Sequence, residues 1–152
     1  MKSEVRFIQG MSFAAVGDTG HGVLMDTKVE VGGGNWAATP KELVLHGLGG
    51  CTGMDVVSIL RKMRVAFRSF SIVVEAELEA DPPKAFRSAH LDYRFEGEGL
   101  PLDSLQRAVA LSQDKYCAVS HTLRKAFPIT WSITVNGQTV ARGDSTVKAD
   151  PA

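Results

Sequence analysis

"TPKELVLHGLGGCTGMDVVSILRKMR", from Thr39 to Arg64, decides the fold of this 152-residue chain. It opens on a complete helix start. Thr39 can cap, Pro40 suits the first turn, and Glu42 stands where its carboxylate closes a capping box. Apolar residues continue through Leu43, Leu48, Val56, Leu60 and Met63, and the cations of "RKMR" end the segment against the negative end of the helix dipole. These side chains surround the helix rather than forming one stripe, so it is expected to be buried nearly all round. Gly47, Gly49, Gly50 and Gly53 interrupt it on either side of Cys51, each at a cost of about 1 kcal/mol relative to alanine. A bare backbone there lets a partner helix or a substrate come close to the sulfur.

Upstream, Val5, Phe7, Met11, Phe13 and Ala15 alternate with polar neighbours, which predicts one half-buried strand from Glu4 to Ala15. "GDTGHG" then turns it into "VLMD" as a hairpin. The loop "VGGGNWAA" follows, with Trp36 as its expected anchor. Downstream, Phe70, Ile72, Val74, Ala76 and Leu78 predict a strand whose other face carries Glu75, Glu77 and Glu79. After the "DPPK" turn, Ala89, Leu91, Tyr93 and Phe95 predict its partner. Pro101 to Leu111 reads as an amphipathic helix, and a second short helix is expected from about Cys117 to Ala126. "ITWSITVNG" is the final strand, with Ile129, Trp131, Ile133 and Val135 inward.

This order predicts an α+β fold with an antiparallel sheet and segregated helices rather than repeated βαβ units. A helix apolar on every side needs more cover than two layers of so short a chain supply, so a homodimer is expected. One domain is expected over residues 1–142, followed by a loose tail over 143–152.

Seventeen basic residues balance seventeen acidic ones, which leaves no net field to hold nucleic acid or an acidic membrane. The start "MKSEVRFIQG" lacks the apolar core of a secretory peptide, and no stretch is expected to span a membrane. A cytoplasmic location is therefore expected. Two cysteines in such a chain, Cys51 and Cys117, argue against a structural disulfide framework.

Taken singly, a buried cysteine is most often a small hydrophobe. Cys51 lies too far from the helix start at Thr39 for the dipole to ionise it, so a reactive sulfur there requires another positive group. Cys117, in "QDKYCAVSH", sits at or near a helix start beside Lys115, a plausible electropositive place for sulfur. His21, His46, His90 and His121 lack the close spacing of a zinc site, and neither a metal nor a cofactor is expected. His90 belongs to the exposed face of a strand and is expected to be solvated, whereas His46 and His121 stand close enough in sequence to a cysteine to fall near a sulfur. The chain has no G-x-S-x-G, phosphate loop or C-x-x-C.

The segments "PKELVLHGLGGCTGMDVVSIL" and "DKYCAVSHTLRKAFPITWSITVNG" together resemble the OsmC/Ohr family, the osmotically inducible and organic-hydroperoxide-resistance proteins. Both cysteine motifs match in order and spacing, and "GGCTGMDVV" is most similar to the less characterised branch. The resemblance implies an OsmC-like fold, with antiparallel sheets packed around a long central helix, in an intertwined homodimer whose sites lie at the subunit interface. It further implies a thiol peroxidase serving the oxidative stress response. Cys51 would attack an organic hydroperoxide or hydrogen peroxide, Cys117 would resolve the sulfenic acid as a disulfide, and a dithiol reductant, a lipoyl-type one among the candidates, would reset the pair.

The peroxidase branches hold their cysteine with an arginine from the N-terminal hairpin or the loop after it, and with a glutamate just before the helix's leucine. Here no arginine lies between Gly10 and Pro40. Lys41 stands at the glutamate's place, with Glu42 one step later. Arg6, Lys41 and Glu42 are thus the candidates for activating or orienting the sulfur, beside Lys28 or an arginine of the partner. The competing class is a weakly active or non-catalytic member that binds a small molecule in an apolar pocket at the dimer interface.

Overall fold

In the computed structural model, which describes residues 1–145, the alternating apolar residues near the N-terminus lie on two strands and not on one. β1 (Ser3–Gln9) and β2 (Ser12–Gly17) form an antiparallel hairpin around Gly10, whose φ of 56° suits a residue without Cβ. The alternation hides this turn for a geometric reason. Gln9 pairs with Ser12, but Phe7 pairs with Phe13, so Ile8 is an extra residue in a bulge. A plain two-residue turn would set odd positions against even ones, whereas the bulge restores odd against odd, and the period-two pattern runs through the turn unbroken. β3 (Gly22–Met25) pairs with β2 and completes a three-stranded meander through the hairpin expected at "GDTGHG".

The chain divides between Val44 and Leu45 into two compact units. In the first, Asp26 and not Trp36 anchors the glycine loop. Asp26 is buried, and its carboxylate accepts from Ser12 Oγ at 3.2 Å, Gly34 N at 2.9 Å and Trp36 N at 3.3 Å. Burial pushes that carboxyl up, but the amides of Thr27, Trp36 and Gly34 together with the Ser12 hydroxyl outweigh it and leave it below the usual carboxylate range. Trp36 remains half-exposed and lies over Gly34, where a Cβ would meet its ring. The capping box forms as the sequence predicts: Thr39 N donates to Glu42 Oε2 at 2.7 Å and Glu42 N donates to Thr39 Oγ1 at 3.3 Å.

That box starts α1 (Pro40–Lys62), which continues into the second unit. There β4 (Ser69–Leu78), β5 (Phe86–Glu96), β6 (Ile129–Val135) and β7 (Gln138–Asp144) form one sheet in that order. The expected antiparallel sheet is in fact mixed: β4–β5 and β6–β7 are antiparallel, while β5 and β6 run parallel. A parallel pair needs a crossover rather than a hairpin. The connection is α2 (Leu102–Leu111), a π-helical turn over Ser112–Tyr116, and α3 (Ala118–Leu123).

β7 carries the chain through Gly143 and Asp144, two residues expected to belong to the loose tail. Its entry is the turn at Asn136 and Gly137, both at positive φ. Gly143 pairs with Trp131 and leaves room for the indole, which a Cβ there would strike. Ser145 follows, buried, and its amide donates to Ile129 O at 2.8 Å. The rest of the expected tail, 146–152, lies outside the described residues.

Leu91, Tyr93 and Phe95 of β5 join Leu48, Val56 and Leu60 of α1 and Leu105, Ala108 and Val109 of α2 in one core. α1 buries a single stripe, Leu48, Thr52, Val56 and Leu60, and not its whole circumference. By length and mean hydropathy alone it would pass as a membrane span, contrary to expectation, but that stripe makes it a core helix of the sheet unit. Its glycines divide by face. Gly49 and Gly53 lie against β4, where a Cβ would come within 3.0 Å of Val74 Cγ2 and 3.2 Å of Ile72 Cδ1, while Gly47 and Gly50 face open space beside an exposed Met54.

Candidate functional site

Cys51 stands on the half-exposed flank of α1, next to the buried stripe. One turn later on the same flank comes Asp55, because residues four apart share a helix face. Cys117 reaches this place from the crossover. Its backbone is extended, φ −70° and ψ 99°, between the π turn and α3, and both neighbours hold it. Its N–H donates to Ser112 O at 2.8 Å, the bond that closes the π turn, and its C=O accepts from His121 N at 3.0 Å as α3 begins. Its sulfur caps α3 by accepting from Ser120 N at 3.4 Å.

The result is a three-atom cluster. Cys51 Sγ, Cys117 Sγ and a carboxylate oxygen of Asp55 all lie within 4.8 Å of one another. Both cysteines are free thiols, with Cys51 half-buried and Cys117 fully buried. Burial pushes the Cys117 thiol above its ordinary value, opposed by its bonds from Ser120 and reinforced by the Cys51 sulfur. Ser120 Oγ, itself buried, has no other partner among the described residues and stands beside the Cys117 sulfur, where its hydroxyl favours the thiolate.

Behind the sulfurs lies a polar network the sequence reading did not single out. Thr52 Oγ1 is 2.6 Å from Tyr93 Oη and 2.8 Å from Ser112 Oγ, and it accepts from Gln113 Nε2 at 3.1 Å. Gln113 Nε2 also donates to Tyr93 Oη at 2.6 Å, Ser145 Oγ donates to Gln113 Oε1 at 2.7 Å, and Ser112 Oγ donates to Asp55 Oδ2 at 3.0 Å. Thr52, Tyr93, Ser112, Gln113 and Ser145 are all buried, and burial drives the Tyr93 phenol far above its ordinary value. Three elements, α1, β5 and the π turn, are thus tied together one residue from Cys51 and four from Cys117. The signal that could have found Asp55 is its spacing from Cys51; the rest of the network has no local signal.

The other candidates have other partners or places. Arg6, on β1, is paired with Glu4, Nε to Oε1 at 2.8 Å and Nη2 to Oε2 at 3.0 Å. Glu42 closes the capping box, and Lys41 is exposed beside it in the first turn of α1. All three belong to the first unit, the cysteines to the second. His121 Nε2 is 2.9 Å from Asp114 O, and Arg124 Nη2 is 2.9 Å from its Nδ1. His90 is not simply solvated: its ring nitrogens lie 2.8 Å from Thr130 Oγ1 and 2.9 Å from Ser132 Oγ.

A half-exposed thiol beside a buried one, with a carboxylate within 4.8 Å of both, can form a disulfide or chelate an ion. The family model described as OsmC-like protein matches residues 32–132, and so takes in both cysteines. The chain belongs to the OsmC family. Protein YhfA of Escherichia coli K12 is 36% identical over 135 residues, covering 89% of this chain and 98% of its own. A structure described only as structural genomics is 35% identical with a TM-score of 0.78, covering 89% of this chain and 98% of its own. An organic hydroperoxide resistance protein OsmC from Legionella pneumophila shares the fold, with a TM-score of 0.66, 20% identity, and coverage of 88% of this chain and 96% of its own. The α+β architecture with two sheets is therefore that of OsmC-like proteins, and two neighbouring thiols in this family are consistent with a redox role.

Proposed function

We propose that this OsmC-family protein is a thiol-dependent peroxidase of organic hydroperoxides and hydrogen peroxide. The observation that carries the reading is the pair of sulfurs within 4.8 Å, one reachable and one buried. A disulfide sulfur pair lies about 2.05 Å apart, so a modest approach of the two sulfurs joins them. The Cys51 thiolate attacks the distal oxygen of the peroxide, the O–O bond breaks, and the alkoxide takes a proton and leaves as an alcohol. Cys51 is then a sulfenic acid. Cys117 attacks that sulfur, the S–S bond forms, and hydroxide leaves as water with the thiol proton of Cys117. A dithiol of lipoyl type reduces the disulfide and is itself oxidised to its disulfide.

The working unit in this reading is a cytoplasmic homodimer, with neither nucleic acid nor membrane as partner. Support for the dimer is the apolar surface of each unit: Val5, Phe7 and Met11 in the first, and the face of α1 bearing Gly47, Gly50 and Met54 in the second. A hollow of about 480 Å³ between Val5, Met11, Phe13, Met25 and Val31 favours a second reading, a small-molecule binding protein.

Reduced protein supplied with a dithiol should consume cumene hydroperoxide, and Cys51→Ser should abolish consumption. Cys117→Ser should leave a sulfenic acid on Cys51 that dimedone traps. Absence of consumption together with no effect of Cys51→Ser would refute the peroxidase, and rapid turnover would exclude the pure binding protein.

A further inference from the structure

A carboxylate beside two thiols is an odd neighbour for redox sulfur alone. Asp55 sets an oxygen donor beside the two sulfurs, with all three ligand atoms within 4.8 Å of one another. A divalent cation placed among the three groups favours all three anions at once. We propose that the reduced site binds a thiophilic divalent cation of the zinc class, with Cys51 Sγ, Cys117 Sγ and Asp55 as its three protein ligands.

Zinc bonds of about 2.3 Å to sulfur and 2.0–2.2 Å to oxygen place tetrahedral ligand atoms roughly 3.5–3.8 Å apart. The three atoms here all lie within 4.8 Å, so closure by about 1 Å completes the set. The surroundings orient the ligands. Ser112 Oγ donates to Asp55 Oδ2 at 3.0 Å and so orients the carboxylate. Ser120 N already donates to the Cys117 sulfur, and the Ser120 hydroxyl, which has no other partner among the described residues, is the second donor that a metal-bound thiolate accepts. The spacing of histidines and cysteines predicts no such site, because its third ligand is a carboxylate delivered by the helix. Binding releases the two thiol protons, and the half-exposed side of Cys51 leaves a fourth position for water.

This inference uses the same two sulfurs as the peroxidase reading, but it does not need turnover. Its consequence is regulatory: while the ion is held, neither sulfur is available to peroxide or alkylating reagents, and a disulfide and the ion exclude each other.

The experiment takes the full chain, reduced and stripped with a chelator, and titrates it with zinc in native mass spectrometry and with cobalt(II) in absorption spectroscopy. One ion per chain is expected, with cobalt bands showing thiolate ligation in a tetrahedral site. Asp55→Asn should weaken binding at least tenfold, Cys51→Ser and Cys117→Ser should each reduce the thiolate band by half or more, and disulfide-oxidised protein should take up nothing. X-ray absorption of the zinc-loaded wild type, which needs no variant to fold, should give two sulfur and two oxygen neighbours. Absence of uptake by reduced protein, Asp55→Asn binding as tightly as wild type, or four sulfurs around the ion would each overturn the proposal. Peroxide consumption by the stripped protein is measured separately, so the two readings fail independently.

Discussion

Replacing Thr52 with valine removes one hydroxyl from the centre of the buried network while keeping the shape of the side chain. Thr52 Oγ1 meets Tyr93 Oη, Ser112 Oγ and Gln113 Nε2, so three contacts go at once. Ser112 keeps Asp55 at 3.0 Å, and Tyr93 Oη still accepts from Gln113 Nε2 at 2.6 Å, but the Tyr93 hydroxyl proton loses its acceptor, since an amide nitrogen can only donate. The cost is therefore three lost hydrogen bonds at roughly 1 kcal/mol each plus about 1–3 kcal/mol for the buried phenol proton left without an acceptor, about 3–6 kcal/mol together. For a chain of this size that lowers Tm by about 6–24 °C.

Thr52→Ser keeps the hydroxyl and gives up a methyl, about 1 kcal/mol. The order is what matters: valine should be the worse substitution, although it fills the space better. Urea unfolding of the reduced protein, followed by circular dichroism at one fixed protein concentration, gives both values. Because the network ties α1 to the π turn, Thr52→Val should also slow closure of the Cys51–Cys117 disulfide after a peroxide pulse. A Thr52→Val variant within 0.5 kcal/mol of wild type, or a serine variant less stable than the valine one, would show that the site is held by packing and not by these hydroxyls.

Iodoacetamide at neutral pH should label Cys51 first and Cys117 slowly, and the Cys117 rate should keep rising above pH 9.0, because burial holds its thiol protonated beyond that ordinary value. The sign for stability follows: in the window above pH 9.0 the unfolded chain loses the proton that the native chain keeps, so reduced wild type should lose stability there relative to Cys117→Ser. Thr39→Ala and Glu42→Ala should each cost about 1 kcal/mol, and the double variant should cost less than the sum, because each bond of the box is shared; a double-mutant cycle in urea reads the coupling. Gly50→Ala, with open space beyond it, should gain up to about 1 kcal/mol of helix stability in the isolated chain. If a second copy covers that face, the same change should weaken the dimer in sedimentation equilibrium.

What the sequence discloses and what it withholds divide by range. The capping box is legible because its partners are three residues apart, and the inward faces of β4, β5 and β6 are legible because alternation is local. The turn at Gly10 is hidden by the bulge at Ile8, which keeps the alternation in step across it. The parallel pairing of β5 with β6 crosses the helical connection and leaves no local trace. β7 is missed because a glycine is read as a loosener where it is the floor beneath an indole. At the site the two cysteines are found from their motifs. Thr52, Tyr93, Ser112 and Gln113 become a network only when three elements meet, and Asp55, the one member with a local clue, stands four residues from a cysteine on the same helix.

The π turn before Cys117 gives chain length a chemical meaning. A helix advances about 100° per residue, and a bond from Cys117 N–H back five residues to Ser112 O amounts to one residue spliced into the ladder. The direction of the Cys117 sulfur is therefore a matter of rotational phase. Deleting one residue from "DKY" would restore the four-residue ladder and swing that sulfur by about a quarter turn, although no side chain touching it would have changed. A catalogue of point substitutions would never meet this vulnerability, since the site is tuned by a count of residues as well as by their kinds.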